Sequence, residues 1–499
     1  MQKIFDVLVV GGGINGAGIA RDLAGRGLSV CLVERGDLAQ ATSSASSKLI
    51  HGGLRYLEQY EFRLVREALA EREVLLKAAP HIIWPLRFVL PHRPQMRPRW
   101  MIRAGLFLYD HLARRATLPA AQSFATAGHA LAAPLKREIA HAFAYSDAWV
   151  EDSRLVLLNA VDAARRGAEI RTRTAFLGAE RDGEGWTVAL RGADGQQERL
   201  RARALANAAG PWVEQARAAA HGQKQGGVRL IRGSHIVVPR LYAGDHAYIL
   251  QNDDRRVVFV IPYEGEFSLI GTTDVPHEGD PSEAVCTQEE AAYLCAAVSR
   301  QFERPVAPRD IVWRYAGVRP LFDDGAGNPS EVTRDYVLKL DAGAAPLLTV
   351  YGGKITTFRR LAEEAAGQLC AALGHAAPDW TAAARLPGGD LGGYPLDLFE
   401  AEMARAHPWL PDQWIPRLVH THGGELPALL AGASSVGDLG HHYGAGLTEH
   451  ELRHMERHEW ARSAEDVLWR RTKLGLHMDP AGQRALAERM GGPPAATPG

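Results

Sequence analysis

FDVLVVGGGINGAGIARDLAGRGLSVCLVE, residues 5–34, decides the fold. Residues 5–10 form a β-branched apolar run closed by glycine, which predicts a short parallel strand buried on both faces. Gly11-x-Gly13-x-x-Gly16 follows. Gly11 permits a tight turn, Gly13 lets the main chain approach a pyrophosphate, and Gly16 lets the next helix pack closely. Ile14, Ala17, Ile19, Ala20, Leu23 and Ala24 supply that helix's apolar face; Gly25 and Gly27 end it. Residues 28–34 read as a second strand closing on Glu34, where a carboxylate can accept bonds from adenosine ribose hydroxyls. The helix start offers unpaired N–H groups and the positive end of its dipole. Together these features predict a Rossmann-type α/β domain holding an adenine dinucleotide. The motif by itself does not separate NAD from FAD.

The surrounding composition is that of an ordinary globular chain. With 499 residues, 46% of them hydrophobic and 23% charged, about two to four domains around a large core are expected. A net charge of −1 gives no reason to expect a nucleic-acid partner. Cys31, Cys286, Cys295 and Cys370 lack metal-ligand spacing and suit free thiols in a reducing, cytoplasmic setting. No basic segment leads into an apolar run with a cleavage site, so no secretory signal is expected. The longest uncharged stretch, 116–135, is broken by Pro119, Gln122, Ser123, His129 and Pro134 and makes a poor membrane span.

ATSSASSKLIHGGLRYLE, residues 41–58, comes soon after the second strand, near the strand ends where such sheets bind ligands. Thr42, Ser43, Ser44, Ser46 and Ser47 let the backbone come close and can donate to phosphate or ring oxygens. Lys48, Leu49, His51, Gly52 and Gly53 continue the contact. A serine-rich loop can also be merely solvated, but two later segments point to a ligand. ALANAAGPW (204–212) ends in Ala209-Gly210 as a second touch on the dinucleotide. LLTVYGGKITTFRRLAEEAAGQL (347–369) is a strand, the pair Gly352-Gly353, then a helix capped by Thr356 or Thr357. Its positive end and Lys354 suit the negative charge of a reduced flavin ring. An extended FAD needs this third contact and NAD does not, so FAD is expected, held by Gly11, Gly13, Ile14, Asn15, Gly16, Glu34, Arg35, the 42–53 residues just named, Ala209, Gly210, Gly353, Lys354 and Thr356.

GGGINGAGIARDLAGRGLSV, TSSASSKLIHGGLRYLE, LIRGSHIVVP, FSLIGTTD, YAGVRPL, TRDY and GGKITT run in order along nearly the whole chain, with LWRRTK at 468–473. Together they resemble the FAD-dependent sn-glycerol-3-phosphate dehydrogenases, in their bacterial, membrane-associated aerobic form. Ala209 departs from the threonine expected there, losing a hydroxyl but not the backbone contact. The resemblance implies oxidation of the C2 hydroxyl of glycerol 3-phosphate to dihydroxyacetone phosphate. It implies hydride transfer to FAD, electrons passed to ubiquinone or menaquinone, and attachment to the inner, cytoplasmic face of an anionic membrane. It also implies Arg55, Tyr56, Arg319 and Arg334 as substrate contacts, and no metal.

The residues supply matching chemistry. A phosphate dianion in a dry pocket needs fixed cations, and the guanidinium fork suits it best. His235, in a strand-like run, is the candidate base. Arg319 and Lys354 complete the catalytic set, with Thr272 and Asp274 in the pocket. Two alternatives stand: an oxidase passing electrons to oxygen, and an amine or amino-acid oxidase on the same fold.

A discontinuous FAD-binding domain of the glutathione-reductase/D-amino-acid-oxidase type is expected at 1–80, 150–225 and 345–385. A substrate domain with an antiparallel sheet takes 81–149 and 226–344. A C-terminal helical domain takes 386–490, and 491–499 is a disordered tail. Within 97–115, basic residues flank WMIRAGLFLY, which suits a helix lying in a membrane interface; a buried or homodimer-interface helix is the other reading. His450, His454 and His458 fall on one helix stripe expected to face water.

Overall fold

A computed structural model describes residues 3–113, 117–183, 185–221, 227–254, 256–323 and 335–492, the side chains of Arg55, Gln59 and His221 excepted. Arg334, Arg114, Arg115 and tail residues 493–499 lie outside the described residues.

The opening stretch folds as β1 (Ile4–Val10), α1 (Ile14–Gly25) and β2 (Val30–Val33). Val7, Leu8 and Val9 are fully buried, as a strand covered on both faces requires. Gly11 has φ +108°, and a Cβ there would lie 2.5 Å from the Ala208 carbonyl oxygen; one on Gly16 would lie 1.9 Å from the Gly11 carbonyl oxygen. Only glycine fits either place.

β1 and β2 belong to a sheet with β7 (Glu169–Arg171), β8 (Ala175–Arg181), β9 (Trp186–Arg191), β10 (Gln197–Asn207), β17 (Val337–Asp341) and β18 (Leu347–Tyr351). Its main order is β17-β18-β10-β1-β2-β7, parallel from β18 to β7. α1, α4 (Asp152–Arg165) and α7 (Phe358–Leu373) share its largest apolar core.

A second sheet runs β15 (Val275–Pro276), β11 (Val228–Pro239), β14 (Phe267–Gly271), β13 (Val257–Tyr263), β12 (Ala247–Gln251), β4 (Ile83–His92), β6 (His141–Val150), β3 (Leu49–Ile50). β16 (Trp313–Phe322) joins β11, and β5 (Gln122–Ala125) joins β6. The insert strands β11 to β14 pair antiparallel, as expected from the turn signals between them. Two segment edges differ from expectation. Residues 337–341 sit on the first sheet, because β17 must cover the edge of β18, and Leu49-Ile50 pairs with β6 in the second. α2 (Phe62–Ala78), α3 (Arg99–His111), α5 (Val213–His221) and α6 (Gln288–Ser299) cover the sheets.

α8 (Leu396–Ala406), α9 (Ile415–His422), α10 (Leu426–Leu429), α11 (Glu449–His458) and α12 (Pro480–Arg489) form the C-terminal part around their own apolar clusters. Buried charges dock it. Arg470 Nε lies 2.7 Å from Asp37 Oδ2, Arg471 Nη2 lies 2.9 Å from Asp37 Oδ1, and Arg470 Nη2 lies 2.6 Å from Asp466 Oδ1. Asp37 is three positions beyond Glu34, so this domain braces the turn that follows β2.

The histidine stripe does not lie wholly on a water-facing side. His454 is half-buried and packs against His422, whereas His450 and His458 are exposed, His450 bonding the Leu429 carbonyl at 2.7 Å. Polar neighbours in sequence hid this, because α9 lies against the same face. His422, His454 and Glu459 bring ligand atoms within 4.8 Å of one another, but Arg154 already holds both Glu459 oxygens at 2.9 Å.

α3 buries Leu106 and Tyr109 and leaves Trp100 (69%) and Phe107 (65%) exposed beside Arg97, Arg99 and Arg103. Among the described residues, no helix is long and apolar enough to cross a membrane.

Candidate active site between the two sheets

The nucleotide end is built first. Gly13 caps α1 without a side chain; the Ile14 N–H goes to Ser43 Oγ at 3.0 Å. Glu34 accepts from the N–H of Gly12 at 2.7 Å and of Gly36 at 2.8 Å, tying the glycine turn to the end of β2. Burial raises its carboxyl, and those two bonds pull the other way. Arg35 stacks on Trp212 with its Cζ 3.9 Å from the ring centre, which brings the Ala209-Gly210 turn to the same place. Asn15 Nδ2 donates to the Gly352 carbonyl at 3.2 Å, while its buried Oδ1 has no partner among the described residues. A capless helix start, an acid at the strand end and an orphaned amide oxygen fit a dinucleotide.

The 41–58 stretch spreads over several jobs. Thr42 Oγ1 donates to the Val318 carbonyl at 2.6 Å, and Ser44 Oγ to the Ala41 carbonyl at 3.3 Å. Ser46 Oγ donates to Asp152 at 2.7 Å. Lys48, expected at the cofactor, is fully buried with its ammonium 2.8 Å from Asp152 Oδ1, its N–H on Ser46 Oγ at 2.9 Å and its carbonyl accepting from Val150 N–H at 3.0 Å. Leu49 is a core residue. The Gly52 N–H donates to Tyr109 Oη at 2.9 Å; that hydroxyl donates to Asp147, which Arg72 holds at 2.7 Å. A Cβ on Gly53 would strike the Tyr56 ring at 2.3 Å.

Across from this loop, His51 N–H donates to Thr356 Oγ1 at 3.2 Å. Thr357 stands at the N-cap of α7 without a side-chain bond to the helix, and the short 3-10 turn 355–357 that precedes it turns Thr356 towards His51. Gly353 lies against Asn15. Lys354 Nζ sits 3.8 Å from the Tyr56 ring centre. Burial, then Lys354, pushes His51 down to about 4.

The second sheet supplies the other wall. In β11 and β16, His235 pairs with Tyr315, Gly233 with Gly317 and Ile231 with Arg319, so His235, Tyr315 and Arg319 share one face. A Cβ on Gly317 would lie 2.8 Å from Ala45 Cβ, so that face meets the hydroxyl loop. Arg319 Nη1 lies 2.5 Å from Asp274 Oδ1 and Nη2 lies 3.1 Å from Thr272 Oγ1. Its side chain is 30% exposed. His235 is 2% exposed, with Nε2 2.8 Å from Ser47 Oγ. Burial, then Arg319 and Lys48, hold it well below the usual imidazole range, so it is neutral at working pH.

The structure thus gathers His235, Arg319, Thr272 and Asp274 on one wall, and His51, Gly52, Gly53, Tyr56, Gly353, Lys354 and Thr356 on another. The Arg55 side chain and Arg334 lie outside the described residues. Sequence reasoning missed Asp152, Tyr315, Tyr109 and Asp147. Their partners lie dozens to hundreds of positions away, and no local pattern marks them.

The model of the FAD dependent oxidoreductase family matches residues 6–359, and that of the C-terminal domain of alpha-glycerophosphate oxidase matches 379–490. The chain belongs to the FAD-dependent oxidoreductases, and its cofactor is FAD. Within them it belongs with the glycerol-3-phosphate dehydrogenases. One relative, the glycerol-3-phosphate dehydrogenase of Pseudomonas aeruginosa, is 54% identical over 98% of this chain and 95% of its own. The D-erythritol 1-phosphate dehydrogenase of Brucella abortus is 50% identical over 97% of each. The solved glycerol-3-phosphate dehydrogenase of Bacillus halodurans, complexed with FAD, superposes with a TM-score of 0.76 at 26% identity, covering 99% of this chain and 92% of that one.

Proposed function

We propose that this protein oxidises sn-glycerol 3-phosphate to dihydroxyacetone phosphate, using FAD, and delivers the electrons to a quinone at the inner face of the cell membrane. The observation that carries the reading is one sheet face holding a neutral, buried imidazole beside a guanidinium with room to rebind: His235 and Arg319. Bound FAD supplies a two-electron acceptor for the hydride leaving C2.

The chain's own residues do the rest. Asp274 and Thr272 hold the Arg319 fork ready, and the substrate phosphate takes Asp274's place on it. Tyr56 and Lys354 close the pocket. His235 accepts the C2 hydroxyl proton as the hydride leaves, so the carbonyl forms without a stranded alkoxide. Arg319 lowers the basicity of His235 in the free protein. A phosphate dianion on Arg319 offsets that charge, so the base strengthens once substrate is in place.

Exposed Trp100 and Phe107 on α3, flanked by arginines, support membrane attachment. The same helix reaches the site through Tyr109 and Gly52.

The amino-acid oxidase alternative lacks a counterpart for residues 379–490, which match an alpha-glycerophosphate oxidase domain. A second substrate has specific support: a relative named for D-erythritol 1-phosphate is as similar as several named for glycerol 3-phosphate. Steady-state assays with each phosphate and a soluble quinone separate the two. The account expects higher kcat/KM for glycerol 3-phosphate and little peroxide in air; preference for the four-carbon phosphate would reassign the substrate, and stoichiometric peroxide the acceptor.

A further inference from the structure

Ser47, expected against the cofactor, bonds the candidate base instead. Its two neighbours are tied to a single carboxylate. Asp152 accepts the Ser46 hydroxyl at 2.7 Å and the Lys48 ammonium at 2.8 Å, and Asp152 and Lys48 are both fully buried. The loop turns at Lys48, whose φ is +56°. Tyr315 donates from its hydroxyl to the Ser46 carbonyl at 2.8 Å. Its ring stacks on the His235 imidazole, 4.9 Å between centres and 13° from parallel. Ser47 is therefore gripped from either side while its own hydroxyl meets His235.

His235 has one remaining polar atom, Nδ1, which is buried and has no partner among the described residues. The bond made by one ring nitrogen sets the tautomer of the other. The groups facing the ring are Lys48 from the loop, and Arg319 and Tyr315 from β16. Lys48 and Arg319 offer only N–H donors, and Tyr315 presents its ring face to the imidazole with its hydroxyl turned to the Ser46 carbonyl, so none of the three accepts Nε2–H.

We propose that Ser47 is a positioning residue for the reaction: its oxygen accepts Nε2–H of His235 and so leaves the Nδ1 lone pair to take the substrate's hydroxyl proton. The proton moves from the C2 hydroxyl to Nδ1 while the C2 hydride goes to FAD, and the Ser47 bond persists on the imidazolium and stabilises it. This rests on His235 being the base.

The test is anaerobic reduction of the bound flavin by glycerol 3-phosphate across pH in the wild type, Ser47→Ala, Ser47→Thr and His235→Asn. Ser47→Ala is expected to bind FAD and melt as the wild type does, with KM within about twofold. Its limiting reduction rate falls about tenfold, and the acid limb of its profile moves to lower pH, because the imidazolium has lost an acceptor. Ser47→Thr restores most of the rate. In histidine-labelled wild-type protein, 15N resonances should show His235 as the Nε2–H tautomer. An unchanged rate or acid limb in Ser47→Ala, an Nδ1–H tautomer in the wild type, or loss of FAD or of cooperative melting in Ser47→Ala would each overturn the proposal. Wild-type reduction by His235→Asn would instead refute the base assignment, a separate failure.

Discussion

Arg319 stands between Asp274 and Thr272, 30% exposed, the arrangement of a fork waiting for a better anion. Arg319→Ala is expected to lower kcat/KM for glycerol 3-phosphate by about 2–4 kcal/mol, the scale of truncating one partner of a desolvated charge pair. FAD content should not change, and both can be read from one preparation by steady-state kinetics and flavin absorbance. Asp152 is the opposite case. It is fully buried and counters Lys48, so Asp152→Ala strands a buried ammonium and should destabilise the fold by about 3–5 kcal/mol in denaturant unfolding. At this scale the sequence was half legible. Arg319 and His235 were picked out by residue type together with the motifs around them, and the structure brings them to one sheet face. Lys48 was picked out in the same way and is a core ion pair, because its partner lies 104 positions away and leaves no local trace.

The elements divide by how local their signals are. β1, α1 and β2 were readable because period, glycine turn and closing acid all lie within thirty residues. The strands of the insert were readable from apolar runs separated by turn signals. At the start of α7, Thr357 takes the expected N-cap position but makes no side-chain bond there, and Thr356 serves His51 instead. α3 is the element whose role most needs measurement. Trp100 and Phe107 are mostly exposed, and Phe107 stacks on His111 of the same helix, so replacing both with Ser should change stability by no more than about 1 kcal/mol. The same change should weaken cosedimentation with anionic vesicles severalfold, and neutralising Arg97, Arg99 and Arg103 should make the residual binding insensitive to salt. Unaltered vesicle binding in both variants would place the membrane contact elsewhere.

Across the whole molecule, three parts of the chain meet. In the proposed reading the first sheet carries the nucleotide and the second the substrate wall, while the C-terminal part clamps Asp37, three positions beyond Glu34. That third coupling was invisible in sequence, because nothing in LWRRTK names Asp37 as its partner. The buried histidines give the molecule a characteristic acid response. His51 and His246 are pushed down to about 4, chiefly by burial. Below pH 6.5 the unfolded chain takes up protons that the folded chain refuses. Stability therefore falls as pH drops from about 6.5 to about 4, by on the order of 2–3 kcal/mol per histidine, and these two groups contribute no slope above that window. Calorimetric melting across pH 4–8 checks the sign; a flat profile between 6.5 and 4 would contradict it.

The most direct test of the central claim is anaerobic titration of the purified holoprotein with sn-glycerol 3-phosphate, following the visible flavin band. The account predicts that the wild-type band bleaches to the fully reduced form as substrate is added, and that Arg319→Ala needs far higher concentrations to do so. A wild-type flavin that stays oxidised at saturating glycerol 3-phosphate would contradict it.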